Sequence, residues 1–317
     1  MNLQPLRFVQ EAVRQKLNLT EAAKSLHTSQ PGVSKAILEL EQELGVDIFT
    51  RRGKRLMRVT EVGEQVLQRI DKILSEAGNL KRLSEQYRVG NAGTLVIATT
   101  HTQARYVLPA PIAKLRAHYP NVHVSLHQGA PDQVAQMLSD EQAHIGIATE
   151  SLADIAGLVT LPCYEWQHVM VVPRDHELVN KPLISLDDLA HFELITYSPA
   201  FAGRSKIDAA FDKAHLTPHI VLEAIDSDVI KTYVRLGLGV GIAAEMAITD
   251  SHEKAQHADL IVKPLGHLFG QNVTRVAFKR GAYLRDFTYH FAELISPRLT
   301  RQNVTQAMQE AVPPSVR

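Results

Sequence analysis

Residues 17–60, LNLTEAAKSLHTSQPGVSKAILELEQELGVDIFTRRGKRLMRVT, constrain this 317-residue chain more than any other stretch. A short helical run, a polar break, a longer helical run and a basic hairpin follow one another with few residues between them. Just upstream, Leu6, Val9 and Val13 fall at spacings of three and four, the stripe of a first amphipathic helix. Thr20 stands where an N-cap belongs before EAAKSL, which predicts a short second helix. A third helix is predicted from about residue 29 to residue 44. Pro31 fits its first turn, where backbone N–H groups have no intrahelical partner. Val33, Ile37, Leu40 and Leu44 define its buried face and leave Gln30, Pro31, Ser34 and Lys35 on the other side, near its N-terminus.

Residues 51–58 hold Arg51, Arg52, Lys54, Arg55 and Arg58 around Gly53, with no acid among them. Glycine supplies the positive φ of a tight hairpin, so the segment reads as a basic wing. Three helices followed by such a wing predict a winged helix–turn–helix. Short polar and basic side chains at the start of its third helix suit base edges and phosphates of double-stranded DNA. Ser29, Gln30, Pro31, Ser34 and Lys35 are therefore candidates for the groove, and Arg51, Arg52 and Lys54 for backbone phosphates. Charge agrees. The chain is neutral overall, yet residues 1–60 carry ten Lys/Arg against six Asp/Glu, leaving an acidic balance of −4 for the rest.

Other classes find little support. No apolar run approaches a membrane span and the N-terminal residues lack a signal-peptide core, so a cytoplasmic protein is expected. The single cysteine, Cys163, excludes an intramolecular disulfide and reads as a small buried hydrophobe. There is no Gly-x-Ser-x-Gly, HExxH or CxxC pattern, and the 15 histidines are scattered. His123 and His127 share a strand face but lie about 13 Å apart, too far to hold one ion. The run GLGVG at 237–241 follows a helix and precedes a strand, the reverse of a dinucleotide turn. We expect no enzyme activity, no metal and no cofactor.

From Thr60, a plausible N-cap, to about Arg88 the chain has no proline and one early glycine. Val66, Ile73, Leu80 and Tyr87 recur every seven residues, with Ile70 and Ala77 as companions, which predicts a coiled-coil-like dimerisation helix over residues 61–90. A dimer would place two recognition helices on a two-fold site. Beyond a polar break at 89–93, strands and helices alternate: TLVIAT, PAPIAKLRAHYP, VHVSLH, DQVAQMLSD, HIGIAT. They do so again after Cys163, from HVMVVP to VGIAAE. This predicts a parallel sheet with crossovers in two lobes, with VTRVAFK (273–279) returning to complete the first. The expected bounds are 91–163 with 268–296 for lobe I, 164–267 for lobe II, and 297–317 for a tail.

Ligands of open α/β sheets sit beyond the strand C-termini. The first strand ends in TTHTQARY, where Thr100, Thr102 and Gln103 cluster as uncharged donors at a helix start, and Thr149 ends the third strand at the same rim. That set suits a small anion. Thr102 could also simply cap the helix.

The string TSQPGVSKAILELEQELGVDIF, followed by TRRGKRL and VTEVG, resembles the N-terminal signature of LysR-type transcriptional regulators. The resemblance implies a winged helix–turn–helix, a long linker helix and a two-lobe effector domain like the periplasmic binding proteins of type 2. It also implies homodimers commonly assembled into tetramers, and contact with RNA polymerase as a further partner. TTHTQARY, LPCY (161–164) and DSDVIKTYVRLGLGVGIA (226–243) are similar to the members that activate cysteine-biosynthesis genes and to relatives serving sulfonate and sulfate-starvation genes. In that group the effector pocket uses the positions of Thr100, Thr102, Gln103 and Thr149, and takes N-acetylserine, O-acetylserine, sulfate or thiosulfate. A further threonine is expected where this chain has Ala202, so the pocket loses one hydroxyl there, which leaves an unrelated small acid open as the effector.

Overall fold

A computed structural model describes residues 2–53, 55–149, 152, 155–201, 203–249 and 259–310. The chain divides into two compact units, 1–88 and 89–317.

In the first unit, α1 (Leu3–Arg14), α2 (Leu19–Ser25) and α3 (Gln30–Leu44) precede the hairpin β1 (Phe49–Arg52) and β2 (Arg55–Val59), and α4 (Glu61–Val89) follows. Leu6, Val9, Val33, Ile37, Leu40 and Ile48 are among the buried residues that hold these elements together. Three expectations need correction. The cap of α2 is Asn18, whose Oδ1 accepts the N–H of Thr20 at 3.1 Å, and Thr20 lies inside the helix. An asparagine two residues earlier reaches the free N–H groups as well as a threonine would. Leu44 is exposed; the fourth buried position of α3 is Glu41, whose charge is matched from the hairpin. Ile70 of α4 is buried in the head cluster with Val66, Leu67 and Leu74 packed against it, so the first half of the linker helix belongs to the head's core. Thr60 does cap α4, its Oγ1 accepting the N–H of Gly63 at 2.8 Å. Gly53 turns the wing at φ 61°.

The second unit opens with β3 (Gly93–Thr99), α5 (Pro109–His118), β4 (Val122–Gln128), α6 (Pro131–Ser139) and β5 (Ile145–Ala148). The 16-residue strand β6 (Leu158–Pro173) follows. Then come α7 (Leu186–Ala190), β7 (Glu193–Tyr197), α8 (Arg204–Lys213), β8 (His219–Ala224), α9 (Ser227–Arg235), β9 (Val240–Ala244) and α10 (Met246–Thr249). The unit closes with β10 (Leu260–Pro264), α11 (Gly266–Phe269), β11 (Gln271–Lys279), α12 (Asp286–Ile295) and α13 (Arg301–Gln309).

The strands form one path, β4-β3-β5-β11-β6-β9-β7-β8, with β10 also on β6. The parallel-sheet expectation is corrected to a mixed sheet. β3 runs parallel to β4 and β5, and β7 parallel to β8 and β9, but β6 is antiparallel to β9, β10 and β11. β6 is the spine of both lobes. Its first half, to Gln167, pairs with the returning β11, and its second half, from His168, pairs with β9 and β10. The sequence read only HVMVVP as strand, because the preceding stretch contains Pro162 and mixed polarity. The tail is also corrected: α13 packs on lobe I, with Leu299 and Val304 buried in that lobe's core beside Phe287 and Phe291.

Candidate DNA interface and effector cleft

The head presents its candidate residues unequally. Ser29 caps α3, its Oγ accepting the N–H of Gly32 at 3.3 Å. Gln30 and Ser34 are half-buried, while Pro31, Lys35 and Arg52 are exposed. Arg51 is half-buried and committed to Glu41 at 2.6 Å, which ties the wing to the recognition helix. Lys54 lies outside the described residues. A concavity of about 610 Å³ is lined by Lys16, Asn18, Thr20, Gln30, Arg52 and Arg55, between the turn after α1, the start of α3 and the wing. Sequence reasoning missed Lys16, which no helical periodicity connects to the wing. Arg55 stood in the basic run but was not singled out.

In the second unit, Thr100, Thr102, Gln103 and Thr149 are all buried at the ends of β3 and β5. Residues 103–107 form a π-helical turn, closed by the N–H of Leu108 donating to the carbonyl of Gln103 at 3.0 Å. Such turns widen the backbone and recur at functional sites. Thr102 makes no capping hydrogen bond from its side chain, so the cap role is not the one it fills.

Gln103 is oriented by two distant residues. Tyr164 donates its hydroxyl to Oε1, and Nε2 donates to Oγ1 of Thr274 at 3.4 Å. Burial raises the Tyr164 phenol well above its ordinary value, so it remains a neutral donor. On the facing lobe, Tyr197 is fully buried. Its Oη accepts the N–H of Ala244 at 2.9 Å and lies 2.5 Å from Oγ of Ser227. Desolvation raises its pKa too, while Ser227, Ala244 and Thr102 hydrogen bonds oppose the rise. Thr102 of lobe I thus meets Tyr197 of lobe II. Trp166 packs in the same cluster as Tyr106, Tyr164 and Tyr197, and its buried indole N–H has no acceptor among the described residues. Tyr164, Tyr197 and Thr274 were not identified as site residues from sequence. They reach the cleft over separations of 61 to 171 residues, which no local pattern reveals. Ala202 lies outside the described residues.

His101, Asp226 and Asp228 bring ligand atoms within 4.8 Å of one another. Asp226 is occupied as the cap of α9, accepting from the N–H of Val229 at 2.9 Å, and Asp228 is already met by Tyr106 and Lys231. Two nearby cations, Lys231 and Arg105, disfavour a metal ion there.

A basic winged head followed by a two-lobe domain with a hydroxyl-lined cleft defines a ligand-responsive DNA-binding protein. Family comparison agrees: residues 3–64 match the bacterial regulatory helix-turn-helix protein, lysR family, and residues 88–300 match the LysR substrate binding domain. The chain belongs to the LysR family of transcriptional regulators, in the subgroup that contains CysB and Cbl. It is 56% identical to the HTH-type transcriptional regulator CysB of Burkholderia cenocepacia, over 98% of this chain and 97% of that one. It is 44% identical to the HTH-type transcriptional regulator cbl of Escherichia coli, over 98% and 97%. The crystal structure of the cofactor-binding domain of the Cbl transcriptional regulator superposes with a TM-score of 0.66 at 41% identity, covering 70% of this chain and 96% of that chain. Among the described residues, no helix is long and apolar enough to cross a membrane.

Proposed function

We propose that this regulator controls genes of cysteine biosynthesis and sulfur assimilation, mainly as an activator, in response to a small anionic effector. The observation that carries the reading is the 56% identity to a CysB regulator across nearly the whole chain, cleft included. A sulfonate or sulfate-starvation role is the alternative, since the cbl relative also matches over nearly the whole chain, at 44%. Thr100, Thr102, Gln103 and Thr149 are the effector contacts, and the alanine at position 202 offers no side-chain donor. The indole N–H of Trp166 is an additional donor for an acceptor group on the ligand. Ser29, Gln30, Pro31, Ser34, Lys35 and Arg52 face operator DNA, Lys54 is a further phosphate contact by its charge, and Arg51 acts by fixing the wing. The protein works by binding rather than catalysis, as a cytoplasmic dimer or tetramer that contacts RNA polymerase. Its domains are a head (1–60), a linker (61–90) and an effector domain (91–296) that extends into α13.

Effector closes the lobes, shifts subunit packing and alters the spacing of the recognition helices on DNA. Thermal-shift and calorimetric screening against N-acetylserine, O-acetylserine, sulfate, thiosulfate and adenylyl sulfate tests the effector class. An acetylserine response supports the cysteine reading, and a response to adenylyl sulfate or sulfate without one moves it to sulfate starvation. A footprint on the operators that stays the same at saturating effector sinks the allosteric step.

A further inference from the structure

Lys231 is 1% exposed, a rare position for an ammonium ion. Burying such a charge costs several kcal/mol unless its donors are matched. Its Nζ reaches Oη of Tyr106 at 2.8 Å, the carboxylate of Asp228 at 3.0 Å and the carbonyl of Ala247 at 3.1 Å. Asp228 and Ala247 belong to lobe II, as Lys231 does. Tyr106 belongs to lobe I, in the π-turn one helical turn beyond Thr102.

Tyr106 is bound twice over. Its hydroxyl donates to Oδ1 of Asp228 at 2.5 Å while accepting from Lys231, and the ammonium lies 4.9 Å from its ring centre. Arg105 adds a longer pairing to Asp228 at 3.5 Å. Although burial pushes the Asp228 carboxyl up, the Tyr106 and Lys231 hydrogen bonds hold it below its ordinary value. The carboxylate is therefore ionised at neutral pH. Parting the lobes would take from Lys231 the Tyr106 hydroxyl that accepts from it across the cleft, at a cost to a buried charge.

We propose that Tyr106 and Lys231, joined through Asp228, form an interlobe latch that positions Thr102 and Gln103 for effector and sets the fraction of closed cleft before any ligand arrives. The proposal rests on the effector-cleft reading for its consequence, but the latch itself is measurable without a ligand. Neither residue is among the proposed effector contacts; Tyr106 acts from within the π-turn and Lys231 by holding it.

The test uses the full-length protein with spin labels at Lys114→Cys on α5 and Lys213→Cys on α8, both exposed, while the native Cys163 is buried. Labelled chains are diluted into unlabelled ones so that distances are intramolecular. In the absence of ligand, the parent gives a narrow distribution. Tyr106→Phe, which keeps the ring and removes the hydroxyl, broadens it toward a second, different distance, and Asp228→Asn does the same. A charge-assisted hydrogen bond of this kind shifts the closure equilibrium about tenfold, and sulfate affinity falls in proportion to the closed fraction that is lost. Unchanged distances in both folded variants overturn the latch. Altered distances with no sulfate binding in either protein leave the latch standing and sink sulfate as the effector. Should Tyr106→Phe fail to fold, Asp228→Asn alone decides by the same distances.

Discussion

The carboxylate of Glu41 and the guanidinium of Arg51 meet at 2.6 Å in the interior of the head. The other carboxylate oxygen accepts the backbone N–H groups of Ile48 at 2.9 Å and Phe49 at 3.0 Å, so one buried side chain on the recognition helix fixes the start of the wing. Glu41→Ala strands two backbone donors and frees Arg51, at an expected cost of about 2–4 kcal/mol. Operator affinity in a gel-shift assay should fall because the wing loses its register, with effector affinity kept. A variant that melts and binds DNA like the parent would show that the ion pair is incidental.

Arg285 secures the entry to lobe I. Its Nη2 donates to the carbonyls of Gly90 at 3.0 Å and Ala92 at 2.8 Å, and its guanidinium lies 4.7 Å from the ring centre of Phe287. Gly93 has φ 148°, and a Cβ there would overlap the Arg285 guanidinium. Gly93→Ala should therefore destabilise the second unit by about 2–3 kcal/mol, through both backbone strain and displacement of the arginine. Arg285→Lys should cost less, since an ammonium can still donate to both carbonyls and loses only the planar group packed over Phe287. Chemical denaturation followed at Trp166 measures both; equal stability of all three proteins contradicts the clamp.

Much of this was legible because the signals are local. Pro31, Gly53 and the spacing of Val33, Ile37 and Leu40 mark the head without any long-range information. Thr100, Thr102, Gln103 and Thr149 share strand ends, a rule of sheet topology that the sequence carries. What failed was nonlocal. Glu41 is only one of six acids in the charge count of residues 1–60, and Arg51 with two hairpin N–H groups gives it its role. β6 hid its length because a strand serving two lobes need not alternate in any simple way. Tyr164 and Lys231 draw their roles from partners 61 and 125 residues away.

For the cleft, Thr102→Ala removes a buried hydroxyl that faces Tyr197 and lies beside Gln103. Loss of one donor to an anion should weaken binding about tenfold or more by calorimetry. Gel-shift affinity in the absence of effector should persist. Unaltered effector affinity would leave Thr102 as an interlobe packing residue only.

Cys163 offers a chemical test of burial. Desolvation pushes its thiol up to about 12, against a weak opposing hydrogen bond from Ser296. The thiolate is the reactive form, so at pH 8 the folded protein should react with thiol reagents only on the time scale of opening. In denaturant the same thiol returns to an ordinary value and should react within minutes. Rapid stoichiometric labelling of the native protein would place Cys163 at the surface.

The linker helix leaves Ile73 40%, Leu80 68% and Tyr87 85% exposed at intervals of seven residues. Ile70, by contrast, is buried in the head, so the repeat divides into a part the chain covers itself and a part it leaves uncovered. Three large apolar side chains in register along one helix face are costly in water, at about 25 cal/mol for each Å² that pairing would remove. A second copy of the same helix satisfies the seven-residue period as no globular surface would. Leu80→Asp puts a carboxylate at the centre of that seam, and two would face each other in a dimer. Sedimentation should show dissociation at micromolar concentration with the melting of the head preserved, and operator affinity should fall because a two-fold site is then read one half at a time. Leu80→Ile, which keeps the apolar face, should remain associated. If Leu80→Asp sediments like the parent, the dimer contact lies elsewhere and the heptad spacing carries no assembly role.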